Sequence, residues 1–124
     1  MIRRDISCFV SGGALGFDMM AAQTILELKQ IFRHIRLTMV VPYPEQDQAW
    51  SEIDKAIYRR ILAEANEVVL TSDHYFRGCI QLRNRCLVDR SNICICYLIK
   101  SNSGTAYTVN YAEKKGLKII NLAR

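Results

Sequence analysis

Short apolar runs alternate with longer stretches of helical periodicity along the whole chain. Ile6–Val10, Ile35–Val41, Glu67–Thr71, Asn92–Leu98 and Leu117–Asn121 read as strands. Between them, Phe17–Phe32 sets Ala21, Ile25, Leu28 and Phe32 at helical spacing, and Ala49–Ala65 sets Trp50, Ile53, Ile57, Ile61 and Ala65 along one stripe. Ile80–Asp89 and Thr105–Lys115 complete the helices, the last stopped by Gly116. No hairpin turn joins consecutive strands, so each strand returns through a helix by a right-handed crossover. The expected fold is therefore α/β, a parallel sheet of about five strands with helices on both faces. Ligands in such sheets sit at the carboxyl ends of the strands. That rule selects the loops Ser11–Phe17, Pro42–Asp47, Ser72–Gly78 and Ile99–Gly104.

Ser11-Gly12-Gly13-Ala14-Leu15-Gly16-Phe17-Asp18 carries the clearest local signal, because it joins the first strand directly to the first helix. Glycines there permit positive φ and leave no Cβ in the way, so amide N–H groups at the helix start can face an anion such as phosphate. The spacing is G-G-x-x-G, which is neither the dinucleotide G-x-G-x-x-G fingerprint nor a P-loop. Read alone, the stretch serves equally well as a tight connection or as a phosphate cradle. The loop Ser101-Asn102-Ser103-Gly104-Thr105 offers a second turn of small residues at a helix start. Arg77, Arg83, Arg85 and Arg90 stand against the single Asp89 in the helix between them, which points to an anionic ligand or to a solvated basic face. Two amide-rich turns and an arginine helix on one sheet edge are more specific than any one of them.

At 124 residues the chain can bury a real core without metal or disulfide staples. The net charge is +5. The basic residues lack an interleaved aromatic series beyond Tyr75 and Phe76, so nucleic acid is not the favoured partner. The five cysteines are odd in number and lie inside apolar elements, as in a reducing compartment. Cys94 and Cys96 share one strand face, and Cys79 and Cys86 are a heptad apart. His34 and His74 have no C-x-x-C or H-x-x-x-H context, so no metal site is expected. The apolar run Ile93–Ile99 is too short to span a bilayer, and the start Met1-Ile2-Arg3-Arg4-Asp5 is no signal peptide. A cytoplasmic protein with no membrane contact is expected.

Three blocks taken together are recognisable. The glycine stretch from Ser11 to Asp18, Arg83-Asn84 with Val88-Asp89-Arg90-Ser91, and Gly104-Thr105 with Tyr107-Thr108-Val109 and Tyr111 to Gly116 resemble the SLOG superfamily, and within it the YpsA-like branch. The resemblance covers nearly the whole chain. It implies one Rossmann-like domain over residues 1–124, three-layered, binding a nucleotide or a nucleotide-derived ligand such as ADP-ribose in a sensor-type role. It also implies that the first glycine block and the Gly104-Thr105 turn contact the ligand phosphate, with Arg83 and Asn84 beside it. Ser11, Gly12, Gly13, Gly16, Asp18, Arg83, Asn84, Asp89, Gly104 and Thr105 are the resulting ligand-binding candidates. Helix capping by Asp18 and surface pairing of Asp89 with Arg85 or Arg90 are the competing structural roles.

Two departures from the family pattern matter. Members of this branch begin with a further strand carrying a T-G-H-R-P-like segment, so the chain reads as an N-terminally shortened member. The gap so left in the sheet calls for direct pairing of Ile6–Val10 with Asn92–Leu98, or for another chain, and a homodimer is expected to cover the apolar face. The related LOG phosphoribohydrolases carry P-G-G-x-G-T-x-x-E with a catalytic glutamate, and Thr108 stands at that position here. A neutral hydroxyl cannot hold charge beside a developing oxocarbenium ion, so no catalytic residue is assigned and binding without catalysis is the leading expectation. A LOG-like nucleoside monophosphate hydrolase using Asp18 or Asp89 is the alternative. A DNA-processing role like that of the DprA proteins is the third, disfavoured by the modest basicity.

Overall fold

The computed structural model describes residues 8–96 and 104–123, and the elements alternate as the periodicity predicts. Strand β1 (Cys8–Ser11) leads to helix α1 (Phe17–Ile31), then β2 (Arg36–Val41), α2 (Glu52–Glu64), β3 (Glu67–Leu70), α3 (Cys79–Asp89), β4 (Ile93–Cys96), α4 (Gly104–Lys114) and β5 (Lys118–Asn121). All strand pairs are parallel. One ladder has the order β1-β2-β3, with Ser11 opposite Met39 and Val41 opposite Leu70, and a second joins β4 to β5. This is the Rossmann-like α/β architecture. Among the described residues β1 and β4 form no ladder with each other, so the direct pairing that would close the sheet is not made. No helix among them is long and apolar enough to cross a membrane.

Strand β2 is the central strand of its ladder and buries side chains on both faces towards its carboxyl end. Leu37, Met39 and Val41 alternate onto one face, where Met19 and Ala22 of α1 and Tyr58 and Ile61 of α2 bury them. Val40 is equally buried on the opposite face, and α3 packs on β2. The chain thus winds one way from β1 to β3 with α1 and α2 together, then reverses so that α3 and α4 pack on each other. Open parallel sheets hold ligands beyond the carboxyl ends of their strands, the end at which the turn after β1 lies.

The start of α2 moves for an identifiable reason. Helix α2 begins at Glu52 and not at Ala49, because the Ser51 hydroxyl accepts the Asp54 N–H at 3.2 Å and caps the first turn. Trp50 therefore precedes the helix and packs edge-on against Tyr58, with ring centroids 5.0 Å apart. The stripe running through Ile53 also fails at its start, since Ile53 is 75% exposed. Steps of four residues rotate about 40° each around a helix of 3.6 residues per turn, which carries Ile53 off the face that buries Ile61. In α1 the buried positions are likewise Met19 and Ala22, and Phe32 lies outside the helix. Helix α4 ends as expected at Gly116, φ 84°, with the Leu117 N–H returning to the Ala112 carbonyl at 3.0 Å.

Candidate functional site

The turn after β1 is built downward into the protein as much as outward. Gly12 and Gly13 are buried, Ala14 is half-buried, and Leu15 and Gly16 reach solvent. A Cβ on Gly12 would stand 2.6 Å from Arg83 Nη1 and 2.8 Å from its Cζ, so glycine is required to admit the guanidinium. Gly13 has φ 70°, and a Cβ there would meet Met39 Cε at 2.8 Å and the Tyr58 ring at 3.0 Å. Gly16, φ 92°, opens α1 as its N-cap and supplies no side-chain acceptor to the first-turn amides. The Ser11 hydroxyl donates to the Asp18 carbonyl at 3.2 Å and accepts the Gly13 N–H at 3.3 Å, fixing the bend between strand and helix.

Beneath this turn lies Arg83, only 3% exposed although α3 was expected to present it to solvent or ligand. Its Nη1 donates to the Gly12 carbonyl at 2.6 Å and to Gln46 Oε1 at 3.2 Å, and its Nε donates to Asn84 Oδ1 at 2.8 Å. Burial lowers the guanidinium's pKa, with the charge of Asp18 opposing that shift. Asp18 reaches back so that its Oδ2 accepts the Ala14 N–H at 3.4 Å. Its pKa is raised by burial, more than the Arg83 charge and the Ala14 hydrogen bond lower it. Asp18 is thus a half-buried carboxyl whose ionised form is disfavoured.

Sequence patterning brought Ser11, Gly12, Gly13, Gly16, Asp18, Arg83 and Asn84 forward, and the structure gathers them at the carboxyl end of β1. It does not gather Asp89. Six residues beyond Arg83, about 9 Å along the helix axis, Asp89 ends α3 at the approach to β4 and accepts the Tyr111 hydroxyl at 2.9 Å. Arg85 donates to Tyr107 Oη at 3.1 Å, and Arg90 pairs with Glu67 at 3.3 Å, so the arginines of this segment disperse over three surroundings. Gly104 and the exposed Thr105 open α4, while residues 97–103 of the second small-residue turn lie outside the described residues. Among the described residues no cluster of metal-ligating side chains occurs.

Gln46 was missed by motif reading. Its Nε2 donates to Tyr58 Oη at 3.0 Å and to the Gly12 carbonyl at 3.4 Å, which joins the loop after β2 to the glycine turn. The only signal was its position in a carboxyl-end loop. Burial raises the Tyr58 hydroxyl pKa, against the hydrogen bond it accepts from Gln46.

An α/β fold of parallel strands, with a glycine turn between β1 and α1 and a buried arginine clamped under that turn, defines a Rossmann-like class. The chain matches the model of the YspA SLOG family over residues 1–121, and it belongs to that family. It is 31% identical over 118 residues to the SPbeta prophage-derived protein YoqJ of Bacillus subtilis, covering 86% of this chain and 69% of that one. It is 30% identical over 118 residues to a UPF0398 protein of Halalkalibacterium halodurans, covering 93% and 62% respectively. A UPF0398 protein of Brevibacillus brevis is 26% identical over 106 residues, covering 84% and 56%. The chain therefore spans between about half and two thirds of the length of these relatives.

Two outcomes follow from this geometry. Arg83→Ala leaves the Gly12 carbonyl and Gln46 without their buried donor and should cost about 3 kcal/mol in urea denaturation. Gly12→Ala should also destabilise, yet its cost should shrink in the Arg83→Ala background, because the Cβ then enters vacated space. A coupling of about 1 kcal/mol is expected, and strict additivity would refute the clamp. Asp18 carries the second outcome. A carboxyl whose pKa is raised on folding binds its proton more tightly in the folded chain, so stability falls as pH rises through the raised value and is recovered below the ordinary carboxylate range. Asp18→Asn keeps an oxygen for the Ala14 N–H without the charge. It should melt above the unaltered chain at neutral pH, with the gap closing in acid, and a lower melting point at neutral pH would show that the attraction of Arg83 dominates instead.

Proposed function

We propose that this chain binds a nucleotide or nucleotide-derived ligand such as ADP-ribose, with phosphate on the amides of Leu15 to Phe17 at the start of α1. The observation that carries the reading is the turn itself, a glycine-shaped bend with no side-chain cap at Gly16, held from below by a buried guanidinium. Burial of Gly12 and Gly13 gives them the shaping role and leaves contact to the outer half of the turn. Arg83 and Asp18 orient the turn, the first through the Gly12 carbonyl and the second through the Ala14 N–H. Gly104 and Thr105, at the start of α4, are the proposed second phosphate contact. The role is binding without hydrolysis, since Thr108 of α4 offers no carboxylate.

Nucleoside mono- and diphosphates and ADP-ribose form the test panel. At a hundred times its dissociation constant a bound ligand adds ~2.7 kcal/mol, a plain rise in melting temperature. Phe17→Pro removes one first-turn donor at a helix position that accepts proline, and it should diminish that rise while the chain stays folded. Incubation with nucleoside monophosphates should release no free base. Failure of every phosphorylated compound to raise the melting temperature would sink the reading.

Association of two copies is proposed as well, supported by β4, where Ile93 and Ile95 are 38% and 49% exposed on one strand face. Light scattering at micromolar concentration should give about twice the 14.2 kDa chain mass, and a single-chain mass would refute it.

A further inference from the structure

The loops after β2 and β3 bring aromatic rings to the same end of the sheet as the glycine turn. Tyr43 and Tyr75 meet with ring centroids 5.3 Å apart and planes at 59°. Phe76 follows, its ring 5.9 Å from that of His74. Tyr75 is 61% exposed and Phe76 38%, so these two rings stand outside the core. Their backbone is nonetheless held. The Ser72 hydroxyl accepts the His74 N–H at 3.2 Å and donates to the His74 carbonyl at 2.7 Å, and the Phe76 carbonyl accepts the Cys79 N–H at 3.0 Å where α3 begins.

A short path of contacts ties this group to the turn. The Tyr43 carbonyl accepts the Gln46 N–H at 3.3 Å, and the Gln46 carboxamide bonds the Gly12 carbonyl and the Tyr58 hydroxyl. Exposed rings fixed beside an anion-binding turn suit a ligand with a flat π-face joined to a phosphate. The polar residues Asp73, His74 and Arg77 that flank Tyr75 and Phe76 in the chain are exposed, so an apolar partner would have to desolvate them.

We propose that the exposed ring of Tyr75, braced by Tyr43, forms the stacking platform for the base of the nucleotide, purine in preference to pyrimidine because the larger ring system covers more of it. This rests on the phosphate reading given above. The test is calorimetric titration of the full chain with the four nucleoside monophosphates and with ribose 5-phosphate, which keeps the phosphate and lacks the base. The purine nucleotides should bind about tenfold tighter than ribose 5-phosphate. Tyr75→Ala, at an exposed position that leaves the core intact, should bring them down to the level of ribose 5-phosphate without changing the affinity for ribose 5-phosphate itself. Tyr75→Trp should restore tight binding. Equal affinity of the unaltered chain for nucleotides and ribose 5-phosphate, or nucleotide binding untouched by Tyr75→Ala, overturns the platform and leaves the phosphate reading standing. Binding of neither class overturns both.

Discussion

The hydrogen bond from the buried guanidinium of Arg83 to the Gly12 carbonyl is the contact on which the candidate site depends. It links residues 71 positions apart in the chain, at 2.6 Å. It also explains a glycine, because Gly12 has no room for a side chain where the guanidinium lies. A charge in the interior is tolerable only where its donors are used. Here the Gly12 carbonyl, Gln46 and Asn84 receive them, and Asp18 supplies the opposing charge. The Gly13 and Ala14 N–H groups that follow are used inside the turn as well, by the Ser11 hydroxyl and the Asp18 carboxyl.

This arrangement changes what an arginine in this segment is for. A positive residue beside a glycine turn suggests direct contact with phosphate, yet Arg83 is spent on the backbone of its own protein. The cluster of arginines around it serves three local purposes, with Arg85 on Tyr107, Arg90 on Glu67 and Arg83 beneath the turn. The opposing carboxyl of Asp18 is raised in pKa by burial, so the interior charges are held at some cost to stability. Asp89, an acidic neighbour in sequence, belongs to the junction of α3 with α4 through Tyr111.

The winding of the chain supplies the rest of the geometry. Because β1, β2 and β3 advance in one direction and α3 returns across β2, the loops after β1, β2 and β3 collect at one end of the ladder. Gln46 ties the first two of those loops together, and the Tyr43–Tyr75 contact ties the second to the third. No local propensity requires these links. They exist because parallel strands place every carboxyl end on one side of the sheet.

By itself the sequence determined the alternation of strands and helices, the parallel arrangement that follows from long crossovers, and the place of the glycine turn between β1 and α1. These depend on periodicity and on backbone constraints acting within about a dozen residues, and they are legible for that reason. Its family blocks also brought Asp18, Arg83 and Asn84 forward together. Only the tertiary structure decided that Arg83 points inward, that Gln46 and Tyr58 belong to the site, that Asp89 does not reach it, and that Ile53 leaves the buried face of α2. Each of these turns on which side of a helix meets the sheet and on contacts between residues far apart in the chain. A helical stripe read at steps of four drifts from the true face, and nothing local to Arg83 reveals the carbonyl that awaits it across the sheet. The split of the strands into a β1-β2-β3 ladder and a β4-β5 ladder is a tertiary result too, because a strand's own residues do not specify which edge it will join.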